Sequence, residues 1–93
     1  MSVLLPEKDP DELLDYTINW AAAPRWVTDD TIVTSTWIVP DGLTGSDETD
    51  TDTTVTIWLM GGTEGTTYEI VNRITTAGGR HLDQTVLLPI VTQ

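Results

Sequence analysis

The sequence predicts an all-β protein, and three observations lead to this fold class. In residues 54–59, Val55, Ile57 and Leu59 alternate with threonines and a tryptophan, a period of two that is typical of a half-buried strand. Residues 67–76 are β-branched or aromatic at most positions, which favours another strand. The chain also contains eighteen threonines, and threonine fits a pleated sheet better than the interior of a helix.

A glycine-rich segment, GGTEG at residues 61–65, separates these two strands. Its three glycines supply the positive φ angles required by a sharp reversal or by a chain crossing between two sheets. Tyr68 follows, on one strand face with Ile70 and Ile74. It is either an ordinary half-buried tyrosine or the tyrosine corner of an immunoglobulin-like sandwich, whose hydroxyl returns to the backbone a few residues upstream. We predict an immunoglobulin-like β-sandwich of about five to seven antiparallel strands with an extended N-terminal arm.

Length and composition indicate one domain with a modest core. The 93 residues suit a single sandwich, residues 15–93, preceded by the N-terminal arm, residues 1–14. Because the chain contains no cysteine, it is neither a disulfide-stapled secreted module nor a zinc-thiolate protein. The first residues lack a basic segment followed by an apolar run, so we expect neither a signal peptide nor a membrane span, but a soluble protein made inside the cell.

Acidic residues dominate the charge and are unevenly placed. Residues 1–52 contain twelve acids and two bases, a net charge of −10, whereas residues 53–93 contain three acids and two bases, a net charge of −1. This surplus repels phosphate backbones and anionic membranes, so we expect no direct nucleic-acid partner and no membrane partner. A basic protein partner is compatible with it, although an acidic surplus more often only keeps a surface solvated.

The N-terminal arm contains two prolines that interrupt regular structure. Residues 9–12 have the sequence of one helical turn, with Asp9 as N-cap, Pro10 at the first position and Glu12 at the third. We expect an extended arm with at most that turn. The arm either lies on a neighbouring subunit or frays as an isolated terminus.

Residues 16–20 alternate cleanly and predict the first strand of the domain. Residues 21–30 predict a loop, because Pro24 closes a run of alanines that is too short for a helix. The loop carries Trp26, which is either a core plug beneath it or an exposed interface anchor; the plug is the more common case.

Residues 31–39 predict the next strand, and the turn signal Pro40-Asp41-Gly42 ends it. We expect the face of Trp37, with Val33 and Val39, to be buried. The opposite face, which contains the two isoleucines of this strand, is also compatible with the pattern.

The remaining strands lie on both sides of the central segment. Residues 42–53 are polar and acidic and predict either a short strand or an irregular edge, followed by an exposed loop. Residues 80–91 predict the final strand, joined to the preceding one by a hairpin at residues 77–79. Pro89 has no N–H to donate and therefore predicts an edge strand or a bulge. The core-facing residues of the final strand are predicted to be Leu82, Gln84, Val86, Leu88 and Ile90.

No motif of an enzyme or a cofactor site stands out. The segment GGTEGTT lacks the lysine and the following helix of a phosphate loop. His81 is the only histidine, and no serine or cysteine motif offers it a nucleophile to activate. The Asp47–Asp52 loop contains four acids that offer oxygen ligands to a hard cation, but their spacing is not that of a calcium loop, which favours a solvated loop. We predict no enzyme activity, no cofactor and no metal.

The candidate structural and interface residues are therefore Tyr68, three tryptophans and two arginines. Trp26, Trp37 and Trp58 are candidate platforms for stacking, and Trp58 lies opposite the apolar residues of its strand, which favours an outward ring. The set also contains Arg73 and Arg80, which lie on or beside the last two strands. Each arginine either meets the acidic half of a symmetric neighbour in a ring or forms an intramolecular surface pair, and the second alternative is slightly favoured.

Short threonine-rich elements recur between residues 8 and 80 in an order and spacing that are fairly specific. They are Asp15-Tyr16 with Trp20, Asp30-Thr31-Ile32 with Ser35-Thr36-Trp37, Trp58-Leu59 with Gly61-Gly62-Thr63, Gly65-Thr66-Thr67-Tyr68, Asn72 and Ile74-Thr75-Thr76. In these elements the chain resembles the small phage proteins called fiber-tail adaptors.

The resemblance implies a non-enzymatic virion component, made in the host cytoplasm and placed in the neck or tail. It implies an immunoglobulin-like sandwich that joins tail components to fibers or adjacent rings. The expected partners are other copies of itself in a symmetric ring, other neck or tail proteins and the tail fiber. The alternatives are a capsid decoration or tail-tube component with the same sandwich, or a carbohydrate-binding module that uses the exposed tryptophans.

Overall fold

The computed structural model describes residues 2–5, 7–23 and 26–91, and over these ranges the protein is all-β, as predicted. Its regular structure there consists of seven strands and one short 3-10 helix, Trp20–Ala22. The strands are β1 Ser2–Leu4, β2 Leu13–Asn19, β3 Ile32–Ile38, β4 Leu43–Asp50, β5 Thr54–Gly61, β6 Thr67–Thr76 and β7 His81–Pro89. In the described part of the chain, no helix is long and apolar enough to span a membrane.

The strands form two sheets, in the order β1-β7-β6-β3 and β2-β5-β4. Neighbouring strands are antiparallel except β1 and β7, which run parallel. In an immunoglobulin sandwich the second, fifth and fourth strands share one sheet, while the third, sixth and seventh share the other. This chain divides these six strands in the same way and differs at β1, which pairs with β7. The predicted immunoglobulin-like β-sandwich is confirmed.

The core lies between the two sheets and follows the predicted alternation. Val55, Ile57 and Leu59 of β5 are fully buried and face Ile70 and Ile74 of β6 across the interior. The inward residues of the final strand are also those predicted: Leu82, Gln84, Val86, Leu88 and Ile90. A side-chain period of two therefore placed the core face of three strands correctly.

The face of β3 was predicted correctly at Trp37 and wrongly at Val33. Trp37 is buried, but Val33 is exposed and Ile32 lies in the core instead. The cause is a register shift between Ile32 and Thr34 in the pairing with β6, which inserts one extra residue. A bulge of this kind reverses the inward and outward positions that precede it.

The position of Pro89 differs from the prediction of an edge strand or a bulge. Strand β7 lies inside its sheet, between β1 and β6, and its pairing with β6 contains no register shift. Pro89 is the last residue of β7 and pairs with Thr67. A residue without an N–H is tolerated there because the ladder ends at that position.

The N-terminal segment lies along the domain's own β7. Ser2 pairs with Thr85 at the start of β1, and beyond β1 the Lys8 N–H donates to the Pro89 carbonyl at 3.0 Å. The predicted single turn is confirmed: the Asp9 carboxylate accepts the Asp11 N–H at 2.9 Å, and the Glu12 carboxylate accepts the Asp9 N–H at 2.8 Å. The division into an arm, residues 1–14, and a domain, residues 15–93, stays a prediction.

The first predicted strand and the loop after it differ in their bounds. Strand β2 begins at Leu13 and ends at Asn19, so Trp20, which was assigned to the strand, starts the 3-10 helix. The Asn19 side chain caps this helix by accepting the Ala21 N–H at 3.1 Å. Pro24, on which the loop prediction depended, lies outside the described residues.

Candidate functional site

The crossing from β5 to β6 is a tyrosine corner, which was one of the two alternatives that the sequence left open for Tyr68. The Tyr68 hydroxyl accepts the N–H of Thr63, five residues upstream, at 3.0 Å. Gly42 packs against the same hydroxyl: a Cβ there would lie 2.8 Å from Tyr68 Oη, and the φ of Gly42 is +100°. The Gly42 carbonyl accepts the Gly62 N–H at 2.9 Å. Tyr68 therefore fixes the corner to the turn before β4, which is a structural role.

The predicted tryptophan platforms differ in exposure. Trp37 is buried, and its Nε1 has no hydrogen-bond partner in the structure. Trp26 is partly buried and packs against the core, which agrees with the plug and not with an exposed anchor. Trp58 lies on the outer face of β5, as its place in the alternation predicted, and is 36% exposed.

Arg73 and Arg80 both form intramolecular ion pairs. Arg73 Nε lies 2.9 Å from Asp83 Oδ1, with both side chains about half exposed, and this hydrogen bond raises the pKa of Arg73. Arg80 Nη1 lies 3.0 Å from Asp30 Oδ2. The intramolecular alternative is thus the one the structure contains, and a contact with a symmetric neighbour stays a prediction.

Asp30 connects the β6–β7 hairpin to the start of β3. Its carboxylate accepts the N–H groups of Gly78 at 2.9 Å and Thr31 at 3.0 Å, in addition to the Arg80 contact. A hydrogen bond from the Thr76 side chain, together with these donors, lowers the pKa of Asp30 below its ordinary value. The Arg80–Asp30 ion pair therefore helps to hold the hairpin in place, and Arg80 already has a partner within the chain.

Two polar residues of the described chain are fully buried, and neither was predicted from the sequence. Asn72 is fully buried, accepts the Trp20 Nε1–H at 2.9 Å and donates to Ser35 Oγ at 3.0 Å. It joins β6, β3 and the 3-10 helix in one hydrogen-bonded network. The signal for it was its inward position on β6, between Ile70 and Ile74.

Lys8 is the second unpredicted buried residue. It is fully buried, although its neighbours in the sequence are prolines and acids. Its ammonium group donates to the Gly61 carbonyl at 2.7 Å and to the Asp9 carbonyl at 2.8 Å. Burial lowers the pKa of Lys8, while the nearby carboxylate of Glu12 partly opposes that shift. The side chain ties the N-terminal segment to the end of β5.

The acids of the Asp47–Asp52 loop extend along an edge and do not converge. Strand β4 forms this edge, and its pairing with β5 shifts register between Ser46 and Thr49. Asp47 has a φ of 49° at that irregularity. Among residues 2–5, 7–23 and 26–91, no group of three or more His, Cys, Asp or Glu side chains is arranged to hold a metal ion. His81 is exposed at the start of β7.

An apolar patch lies on the outer face of the β2-β5-β4 sheet. We define it by three side chains, Leu13, Trp58 and Met60, which are 49%, 36% and 48% exposed. Leu13 pairs directly with Met60 across β2 and β5, and Trp58 lies two residues before Met60 on the same face. Such cross-strand and same-face neighbours contact each other, so the patch is contiguous.

The two sheets carry different charge. The strands of the β2-β5-β4 sheet contain four acids and no base, a net charge of −4. The strands of the other sheet contain Glu69 and Asp83 against Arg73, a net charge of −1 with His81 neutral. The strands of one sheet are therefore acidic and those of the other are nearly neutral, while both sheets expose apolar side chains.

These features define a small immunoglobulin-like domain whose distinctive surface is suited to protein contact. The model of a protein family described as Podophage GP4 fiber-tail adaptor protein gp77 matches residues 8–89, and the chain belongs to this family. The match extends from Lys8 to the end of β7 and so includes nearly the whole sandwich. No curated protein matches the chain.

Proposed function

We propose that this protein is a non-enzymatic structural component of a tailed-phage virion, located in the neck or tail. It joins tail components to fibers or to adjacent rings through protein–protein contacts. The observation that carries the proposal is the family match over residues 8–89, because the matched region is the folded domain itself. Membership in a phage fiber-tail adaptor family implies a structural role in the virion and contacts with tail proteins and fibers.

The shape and the surfaces support a bridging role. The domain is elongated, with extents of 41 × 24 × 19 Å, and the strands of its two sheets differ in net charge. An adaptor must contact two different neighbours at once, and two unlike faces allow one partner on each side. A symmetric ring of copies would place the same face of every copy toward the same neighbour.

An arginine contact within a ring of copies stays a prediction, and it would compete with ion pairs inside the chain. Arg73 and Arg80 are engaged with Asp83 and Asp30, so breaking either pair would cost an existing interaction. Ring contacts at the sheet edges would leave both pairs intact. Deleting residues 1–12 would not separate ring formation from folding, because it removes β1 and the buried Lys8, which contact β7 and β5 of the same chain.

Copy number in purified phage particles, measured by quantitative mass spectrometry, tests this function. About six or about twelve copies per particle fit a closed ring in the neck or tail. Hundreds of copies would instead indicate the capsid decoration or tail-tube alternative. Absence from particles would refute a virion role.

The carbohydrate-binding alternative is weaker than the sequence suggested. Of the three tryptophans considered as platforms, Trp37 is buried and Trp26 packs on the core, which leaves Trp58. Sugar sites commonly stack a ring on an exposed aromatic side chain, so a change in tryptophan fluorescence on titration with host-surface polysaccharide would revive this alternative.

A further inference from the structure

The outer face of the β2-β5-β4 sheet does not contribute to the core, yet it carries the apolar patch of Leu13, Trp58 and Met60. Single exposed apolar side chains are common on soluble proteins, whereas a cluster of exposed apolar neighbours is a recurrent mark of an interaction site. Tryptophan and methionine are both enriched in protein interfaces, and tryptophan is frequent among the residues that contribute most to binding.

The surroundings of the patch are acidic. Asp15 pairs with Trp58 across β2 and β5, and on β4 Asp47 and Glu48 directly follow Ser46, which also pairs with Trp58. The strands of this sheet contain no Lys, Arg or His. An apolar centre with an acidic rim favours a partner that offers apolar side chains surrounded by basic ones, because opposite charges at the rim attract and like charges repel.

Over the residues that the structure describes, a second copy of this chain does not offer that chemistry. Among the described residues, Lys8 is buried, while Arg73 and Arg80 are held in intramolecular ion pairs. The nearly neutral face of a neighbouring copy therefore has no unengaged Lys or Arg from the described residues to meet the acidic rim. Two acidic faces placed together would repel each other.

The edge of this sheet is poorly suited to strand addition. Strand β4 has a register shift between Ser46 and Thr49, a positive φ at Asp47 and exposed acids along its length. Irregularity and charge are the features by which edge strands avoid pairing with other chains. Strand addition is therefore disfavoured at β4, which is one of the two edges of this sheet, β2 being the other.

We propose that the patch of Leu13, Trp58 and Met60 is the docking face for another virion protein, whose contact surface is basic around an apolar centre. The proposal rests on the adaptor function proposed above and assigns one side of the bridge to the β2-β5-β4 face. Trp58 and Met60 contribute the apolar anchors, and Asp15 with the acids of β4 directs the approach of the basic partner.

The test compares two double variants of the full chain. Trp58→Thr with Met60→Thr removes the anchors, while Val33→Thr with Ile38→Thr changes two similarly exposed side chains on the other sheet, which are 60% and 45% exposed. Threonine favours strands, so both variants should retain the fold, and urea unfolding of each protein checks this. The probe is a phage particle made without this protein, to which purified protein is added and the bound copies are counted by mass spectrometry.

The wild-type chain should bind these particles, and binding should weaken as salt is raised. The Trp58 and Met60 variant should bind at least ~10-fold more weakly, and the Val33 and Ile38 variant should stay within about 2-fold of wild type. Asp15→Asn should weaken binding at low salt and have little effect at high salt.

Three outcomes would overturn the docking face. The first is equal binding by both double variants, and the second is binding that does not depend on salt. The third is that the Trp58 and Met60 variant changes self-association, measured by sedimentation, but does not change particle binding. That result would assign the patch to a second copy. Failure of the wild-type chain to bind the particles at all would instead refute the adaptor function.

Discussion

Replacing Tyr68 by Phe should destabilise the protein measurably, although it removes a single oxygen atom. The Tyr68 hydroxyl accepts the Thr63 N–H at 3.0 Å and packs against the backbone of Gly42. A typical internal hydrogen bond contributes about 0.5–1.5 kcal/mol net, and a buried donor left without its acceptor costs about 1–3 kcal/mol. Because Thr63 is exposed, water can partly replace the lost acceptor. We therefore expect a loss of about 1 kcal/mol in the free energy of unfolding.

The chain offers a matched control in Tyr16. Tyr16 is buried on β2, and its hydroxyl has no hydrogen-bond partner among the residues that the structure describes. Tyr16→Phe makes the same chemical change but breaks no hydrogen bond, and it removes a buried polar group that costs free energy when unpaired. We expect Tyr16→Phe to be neutral or slightly stabilising.

Urea unfolding followed by tryptophan fluorescence measures both variants. For a slope of about 1–2 kcal/mol per molar urea, a loss of 1 kcal/mol lowers the midpoint of Tyr68→Phe by roughly 0.5–1 M. Thermal unfolding should show a fall of about 4–8 °C in Tm. If Tyr68→Phe shifts the midpoint no more than Tyr16→Phe does, the tyrosine corner does not stabilise this fold and the argument fails.

Three further predictions use the buried polar groups. Burial raises the pKa of Tyr16 to about 12, so the stability that depends on its protonated form is full below about pH 10 and is lost as the pH rises through 12. Urea unfolding at both ends of this range should show that loss in the wild type and a smaller one in Tyr16→Phe. Lys8, the only lysine in the sequence, is fully buried and should therefore react slowly with an amine-labelling reagent. Mass spectrometry should show a rate at least ~10-fold lower in the folded than in the unfolded chain. Equal rates would mean that the N-terminal segment detaches. Asn72→Ala should lower the free energy of unfolding by about 2–3 kcal/mol, because the Trp20 Nε1–H loses this acceptor. A smaller loss than that of Tyr68→Phe would contradict a stabilising role for the hydrogen-bonded network around Asn72.

The strands with one apolar face could be predicted because a strand alternates its side chains with a fixed period. Val55, Ile57 and Leu59 carry an unbroken alternation, and the structure places all three in the core. Tyr68 was predicted because its corner depends on a local sequence, glycines followed by a tyrosine at a strand start. Both signals lie within a few residues of one another, which is the range over which sequence patterns determine structure.

Features that depend on pairing between distant strands could not be predicted. The inward position of Ile32 follows from one extra residue opposite β6, and nothing in the sequence of β3 alone indicates that bulge. The burial of Lys8 depends on the carbonyl of Gly61, which is 53 residues away in the chain. Its own neighbours are prolines and acids, a composition that normally stays solvated.

The candidate docking face could likewise be predicted from the sequence only in part. The outward direction of Trp58 follows from the alternation of β5, so the sequence contained it. The contact between Met60 and Leu13 requires the register of β2 against β5, which only the structure supplies. The sequence accordingly offered Trp58 as one of several separate aromatics, and the register makes it part of a patch.

The alternation that builds a sandwich also separates two kinds of constraint. On β5 the inward positions must be apolar for the protein to fold, whereas the outward positions face solvent and folding accepts threonine there, as at Thr54 and Thr56. Leaving Trp58 and Met60 outward exposes apolar surface to water and adds nothing to the core, so the stability of the isolated domain does not account for them. A partner that covers the patch does account for them, because burial of the same two side chains then contributes to association. This is the physical reason to look for the second component of the bridge on the β2-β5-β4 face.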